Sequence, residues 1–435
     1  VHLLAWARHR AGSLDLGVAA RGEEGARRLR QQSTPAQERQ AGGESVGVPG
    51  GLQASLVFDA AGAGFYPAPI MPDGFLYNPT LRSAAALIEA GFADEMLRPV
   101  LESLDERFAV AVPPALQALI RAPDDAIGRQ FIPSAAELEG APGERDDPTG
   151  DAAFSPVPGV VHRYPDRALL KPLLICPTYC RFCFRRAHVG PGGGVLDEAA
   201  LARALDYLRN TPAIREIILT GGDPLMLSPR RLGAILASLE SMPHVELLRI
   251  HTRVPVADPE LVTEALAATL ETRTPLWLAL HANHAREFGP ASLAALARIR
   301  ARGVPLLGQS VLLRGVNDRV EALAALFRAM LGARVKPYYL HHLDAAPGTS
   351  HFHVPIEEGQ RLLAALRGRI SGMALPTYVL DVPGGFGKVP VGPGYLDGGM
   401  VRDPWGGAHA LAGTAATGLE AGQSMPRQAE SFPLP

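Results

Sequence analysis

Apolar residues change their spacing several times along this 435-residue chain. Residues 1 to about 75 have no period. QQSTPAQERQAGGESVGVPGG is polar and rich in Gly and Gln, which predicts disorder. From Asn78 helical spacing sets in. Asn78-Pro79-Thr80 reads as the start of a helix through LRSAAALIEAG, stopping at Gly91. EMLRPVLESLDERFAV and PPALQALIRA follow as amphipathic stretches, so 77–125 is expected to be a small helical region. Residues 135–158 read as a polar linker.

Short apolar runs then alternate with helical ones. LLKPLLIC (169–176), EIILT (216–220), ELLRIHTR (246–253), LWLALHA (276–282), PLLGQSVLL (305–313) and VKPYYLHH (335–342) read as strands. Between them lie LDEAALARALDYLRN, helices opened by Ser228-Pro229 and Asp258-Pro259, then ALARIRARG and EALAALFRAML. Six strands alternating with helices predict an α/β fold whose parallel sheet, with right-handed crossovers, curves into a full or partial barrel. Ligands in such folds sit at the carboxyl ends of the strands. Cys176, Asp223, Arg253, His281, Gln309 and Asp344 all lie at or just past such ends.

Composition narrows the function classes. An apolar content of 47% can fill a sizeable core, while a net charge of -2 and a pI of 6.7 argue against nucleic acid or a membrane surface as the main partner. No apolar run approaches the ~20 residues of a membrane span. The opening VHLLAWARHRAG is broken by Arg8 and Arg10 and does not make a secretory signal. Three cysteines cannot build a disulfide framework, so a reducing cytoplasm is the expected location. Because the chain begins with Val1, residues 1–76 are read as an extension or a mis-assigned start, with Met71 nearer the true beginning.

All three cysteines stand in eight residues, Cys176-Pro-Thr-Tyr-Cys180-Arg-Phe-Cys183. Three thiolates at this spacing can reach three corners of one compact cluster. Zinc is the alternative, with His188 as fourth ligand, but structural zinc staples small domains, whereas these thiols follow a buried strand of a large one. A [4Fe–4S] cluster takes four cysteines, so three leave one iron open for chemistry. C-x3-C-x2-C after the first strand, with Phe182 before the last cysteine, resembles the radical S-adenosylmethionine superfamily. In that superfamily the open iron chelates the methionine moiety, and reductive cleavage gives an adenosyl radical. Thr220-Gly221-Gly222-Asp223 resembles its methionine-binding stretch; glycines allow close backbone approach and Asp223 can accept from an ammonium. Alone, GGDP would read as a simple turn.

A closer resemblance follows from HRYPDR (162–167), CRFCFRR, TGGDPL, RIHTRVPV, LHANH, QSVLLRGVND, KPYYL, GTSHF and DVPGGFGKVP. In order and spacing, from about residue 78 to 396, these resemble the lysine 2,3-aminomutase family, which adds pyridoxal phosphate to the cluster and S-adenosylmethionine. The resemblance implies a partial (β/α)6 barrel at 161–345, preceded by a helical region and linker at 77–160. It also implies a cofactor-lysine and substrate segment at 346–400, and leaves 401–435 as a flexible tail. It makes Lys388 the Schiff-base lysine; a flexible amine can bind the aldehyde and be displaced, and the surrounding glycines give it room. Arg163, Tyr164 and Arg167 would hold the cofactor phosphate and ring, and Arg185 the substrate carboxylate. His281 and Gln309 would contact S-adenosylmethionine. Asp344 and Asp381 would grip the distal ammonium of lysine, which supplies the cation that two converging acids need.

The implied reaction turns L-lysine into L-β-lysine by hydrogen abstraction from Cβ and migration of the amino group. An electron donor such as flavodoxin or ferredoxin is the expected partner. Arginine, glutamate, or a role in elongation factor P lysylation stay open as alternatives, as does a non-catalytic iron–sulfur or zinc protein. Some relatives join subunits through a cysteine-bound zinc; this chain has no cysteine to spare, so its oligomeric state stays open.

Overall fold

The computed structural model describes residues 79–190, 194–397 and 400–410. Asn78, the segment expected to be disordered, and the end of the expected tail lie outside them.

The first helix, α1 (Ala84–Glu89), starts later than Asn78-Pro79-Thr80 suggests. Leu81 is extended and bridges to Val112, so the cap falls to Ser83, whose side chain accepts from the Ala86 N–H. Helix α2 (Arg98–Arg107) follows, and Leu87, Val112, Leu116, Ile127 and Phe131 bury one another in a small core.

The main sheet has nine strands in sequence order. They are β1 (Val160–Tyr164), β2 (Arg167–Leu173), β3 (Glu216–Gly221), β4 (Leu247–Thr252), β5 (Leu276–His281), β6 (Leu306–Val311), β7 (Val335–His341), β8 (Thr377–Val382) and β9 (Gly387–Gly392). Strands β2 to β8 are parallel, with β1 and β9 antiparallel at the edges. The six expected strands are β2 to β7. The first ends at Leu173 rather than Cys176, which frees the cysteines as a loop. HRYPDR is a β-hairpin rather than a lead-in turn, β8 is a seventh parallel strand, and DVPGGFGK closes a second hairpin. The sheet runs on past residue 345, so the cofactor-lysine segment supplies two of its strands.

Helices α3 (Glu198–Arg209), α4 (Pro229–Glu240), α5 (Glu264–Ala268), α6 (Pro290–Arg300), α7 (Val320–Gly332) and α8 (Ile356–Leu366) cross between parallel strands. Asp197 and Ser228 cap α3 and α4 by accepting from the N–H groups of Ala200 and Arg231. Asp258-Pro259 opens only a 3-10 turn; Thr263 caps α5, accepting from Leu266 N–H.

Strand alternation divides the polar from the apolar. On β4, Leu248 and Ile250 are buried and pack with Ile217, Leu219, Leu278 and Leu280 against Leu232, Leu236 and Leu296 of the helices. Each such side chain contributes roughly 1.5–3 kcal/mol by leaving water. Arg249 and His251 point to the other face, as do His281 and Gln309. That face curls. In a flat sheet β1 and β9 would lie roughly 38 Å apart, at ~4.8 Å per strand. Yet Tyr164 Oη accepts from the Lys388 backbone N–H at 2.8 Å. The edges do not pair as strands, so the barrel is partial, and side chains close it.

Residues 401–410, expected as tail, instead complete β11 (Met400–Arg402) and form β12 (Ala408–Ala410), which pair with β10 (Leu396–Asp397) in a small antiparallel sheet. Their turn rests Pro404 against Gly368. No helix among the described residues is long and apolar enough to cross a membrane.

Candidate active site

The cysteine loop leaves β2 and is held from three sides. Gly222 N–H donates to Leu173 O and Asp223 N–H to Ile175 O, both at 2.8 Å. A Cβ on Gly222 would sit 2.3 Å from Ile175 O, so only glycine permits this crossing. On the far side Arg181 and Arg186, both within CRFCFRR, are buried against Glu137. Arg181 also donates to Ala109 O and Arg186 to Gly348 O, tying the loop to the helical region and to the segment after β7. Third, Arg253 Nη1 donates to Cys180 Sγ at 3.2 Å, and its Nη2 donates to Gln130 and Glu287 at 2.7 Å.

Cys176, Cys180 and Cys183 are half-buried and unpaired. Burial pushes all three thiols up, Cys183 to about 11, and Asp223 and the other thiols raise Cys176 further; Arg253 opposes the shift at Cys180. Among the described residues no three His, Cys, Asp or Glu side chains converge on a single ion position. His188, the fourth ligand of the zinc alternative, is exposed. Three free thiols on one loop supply the sulfur donors that a cluster takes.

Toward the ends of β4, β5 and β7 the polar face gathers unsatisfied groups. His281 and Gln309 are register partners on β5 and β6. His281 is driven down to about 3 by burial and by Arg253, so it is neutral. Gln309 Nε2 reaches His251 Nδ1 at 3.5 Å. The Nε2 atoms of His251, His281 and His341 are buried with no partner. Buried ring nitrogens without partners fit a surface that takes a polar ligand. Asp223 is already partnered within the fold. Its oxygens accept from Thr252 Oγ1, from the N–H groups of Arg253 and Val254, and from Leu225 N–H. It straps β3 to β4, and the positive-φ Gly221 beside it (φ 105) leaves backbone at the surface.

The β8–β9 hairpin carries the lysine. Gly385 at its turn has φ 86, and a Cβ there would lie 2.3 Å from the Phe154 ring, so the 147–154 loop packs tightly on it. Lys388 Nζ pairs with Asp381 and lies 3.3 Å from His341 Nδ1. Asp344 is pushed up to about 7 by burial and by Asp381, against the pull of Lys388, Arg185 and Arg163. Lys388 pairs with Asp381, and Asp344 lies near enough for the charges of both to act on it.

Arg163 on β1 donates to Asp151 at 3.0 Å and to Thr149 O, and lies 3.9 Å from Asp381. Arg167 stacks at 4.3 Å over the Tyr164 ring. Arg185 donates from Nε and Nη2 to Asp151 Oδ2 at 3.2 and 2.9 Å. Asp151, inside the expected polar linker, therefore bridges both arginines; nothing in its local sequence marks it. His251, His341 and Lys171 were also missed, though inward alternation on β4, β7 and β2 gives each of them away.

Comparison with known proteins agrees with this geometry. Residues 170–327 match the radical SAM superfamily and 363–399 the lysine-2,3-aminomutase family. L-lysine 2,3-aminomutase of Clostridium subterminale is 43% identical over 274 residues, 63% of this chain and 66% of that protein. The Fusobacterium nucleatum subsp. nucleatum L-lysine 2,3-aminomutase is 38% identical over 70% of this chain and 72% of its own length. Glutamate 2,3-aminomutase of Clostridioides difficile is 35% identical over 68% of this chain and 70% of its own. The chain thus spans about two thirds of the relatives it matches.

Proposed function

Because the chain belongs to the lysine 2,3-aminomutase family of radical S-adenosylmethionine enzymes, we propose that it is an isomerase moving the α-amino group of L-lysine to Cβ. The observation that carries this reading is the acid pair near the Lys388 ammonium: Asp381 accepts from it, and Asp344 feels the charge of both. A site built to neutralise an ammonium between two acids suits a cationic side chain, and not the glutamate of the 35%-identical relative.

The cofactors of the family are a [4Fe–4S] cluster, S-adenosylmethionine and pyridoxal phosphate; together they supply a carbon-centred radical and a π-system that stabilises it. In our reading Cys176, Cys180 and Cys183 hold the cluster, and Arg253 offsets thiolate charge at Cys180. Gly221 and Gly222 present backbone to the methionine group, while Asp223 shapes that turn. His281 and Gln309 direct ring nitrogen and amide toward the same ligand.

Arg163 and Arg167 take the cofactor phosphate, and Tyr164 flanks the ring while holding the Lys388 backbone in place. Lys388 would bond the cofactor aldehyde with loss of water, and Asp381 and His341 beside Nζ would hold the proton its ammonium gives up. Arg185 binds the substrate carboxylate, so both ends of the amino acid are fixed and Cβ is placed for one abstraction. The buried face excludes water and oxygen. We place the protein in the cytoplasm with a flavodoxin- or ferredoxin-type electron donor.

The test is anaerobic reconstitution with iron, sulfide and pyridoxal phosphate, followed by dithionite, S-adenosylmethionine and L-lysine, L-arginine or L-glutamate. β-Lysine together with 5′-deoxyadenosine is expected. A β-amino acid from another substrate would reassign specificity, and no deoxyadenosine with any of them would overturn the reading.

A further inference from the structure

Lys171 lies on β2, whose buried residues Ala168 and Leu170 face the helices; alternation turns Lys171 to the polar face with Arg167. Its stem runs over the end of β3, where a Cβ on Gly221 would lie 2.9 Å from Lys171 Cβ. The ammonium ends 3.8 Å from Asp151 Oδ2, the oxygen that also accepts both Arg185 hydrogen bonds. Lys171, Arg185, Asp151, Phe184 and Leu174 line one cleft of about 480 Å³.

Several cations there crowd one acid. Arg163, Arg185 and Lys171 all converge on Asp151. Asp147, the other acid facing Lys171, spends its oxygens on the N–H groups of Asp151 and Ala152. Three cations thus converge on the Asp151 carboxylate, with Asp146 and Asp147 also lining the cleft. Burial and the charge of Arg185 pull Lys171 below its ordinary value, which an added anion would relieve. The cofactor phosphate answers only for Arg163.

The geometry points to Lys171 as a second cation for the substrate α-carboxylate: the carboxylate sits between Lys171 and Arg185, with Asp151 holding both in position. This rests on the proposed reading of Arg185 and adds a determinant that reading lacks. It makes the cleft selective for an amino acid over the corresponding amine, because only the former brings a carboxylate to Lys171 and Arg185.

The experiment titrates pyridoxal-phosphate-loaded protein, without S-adenosylmethionine and so without turnover. Its visible absorption is followed as L-lysine or cadaverine, which lacks the carboxylate, is added. Wild type should prefer L-lysine. Lys171→Met should shrink that preference about 10-fold by weakening lysine alone, and Lys171→Arg should restore it. Equal weakening of both ligands by Lys171→Met, or none, overturns the inference and leaves the proposed function standing. A wild-type spectrum that responds to neither ligand sinks both.

Discussion

Lys388 and Asp381 are register partners across the β8–β9 hairpin, and the ammonium of one donates to the carboxylate of the other. Backbone pairing therefore fixes the lysine that should carry the cofactor against an acid that should bind substrate. On the proposed reading, Lys388 as a free ammonium holds the place of the substrate's distal charge. Carrying the cofactor would move it off Asp381 and leave the acid pair to the substrate. Lys388→Ala should abolish the visible absorption of the lysine-linked cofactor, and turnover with it. Borohydride treatment of wild type should attach the cofactor mass to the peptide containing Lys388. Label on another lysine would displace it from this role.

Asp344 gives a pH prediction. Its folded pKa, about 7, lies above the ordinary 3.8 because of burial and the nearby Asp381. A raised acid contributes stability that is complete below 3.8 and lost as pH rises through about 7. A bound ammonium reverses the balance, since it favours the carboxylate. L-Lysine should therefore bind more tightly as pH rises toward 7 and should release protons on binding. Calorimetry at pH 6.5 in buffers of different ionisation enthalpy measures this. Asp344→Asn should lose proton release and weaken binding about 10-fold.

Stability should concentrate in Glu137. Its carboxylate receives Arg181 at 2.6 Å and Arg186 besides, with all three side chains out of solvent. Removing the acid would strand two buried guanidiniums beneath the cysteine loop. Glu137→Ala should cost about 3–5 kcal/mol in urea unfolding. Iron content after reconstitution should fall with it, because Arg181 and Arg186 stand inside the loop they brace. A variant of wild-type stability would show that the arginines find other partners.

Strands β2 to β7 could be read from the chain because each is a contiguous apolar run, and the cysteine loop because its three ligands are local. Lys388, Arg185, Asp344 and Asp381 were reached through motif resemblance. Their pairing was not legible: the Asp381–Lys388 contact needs the hairpin, and the Tyr164–Lys388 contact needs the sheet to curl through eight strand steps. Asp151 stayed hidden for a similar reason. Its three cations come from β1, β2 and the cysteine loop, and nothing within the polar linker announces them. Arg253 was placed at a strand end but given no task, since its partners Cys180, Gln130 and Glu287 lie 73, 123 and 34 residues away.

That arginine bears on how the thiols accept metal. Only thiolates ligate, so the protein must surrender protons that burial encourages it to keep. Cys183 titrates at about 11 and Cys176 is raised well above 9.0, whereas at Cys180 the Arg253 guanidinium works against burial. After anaerobic removal of iron, all three should react with iodoacetamide more slowly at neutral pH than free cysteine does, speeding up as pH climbs toward 11. Cluster assembly should likewise improve on the alkaline side. Arg253→Met takes away the charge favouring the Cys180 thiolate, so Cys180 should be alkylated more slowly still. Iron and acid-labile sulfide per chain should drop in the same variant. Peptide mapping by mass spectrometry separates the three sites. Rapid labelling of Cys180 in the variant would mean that access, not thiolate charge, governs the loop.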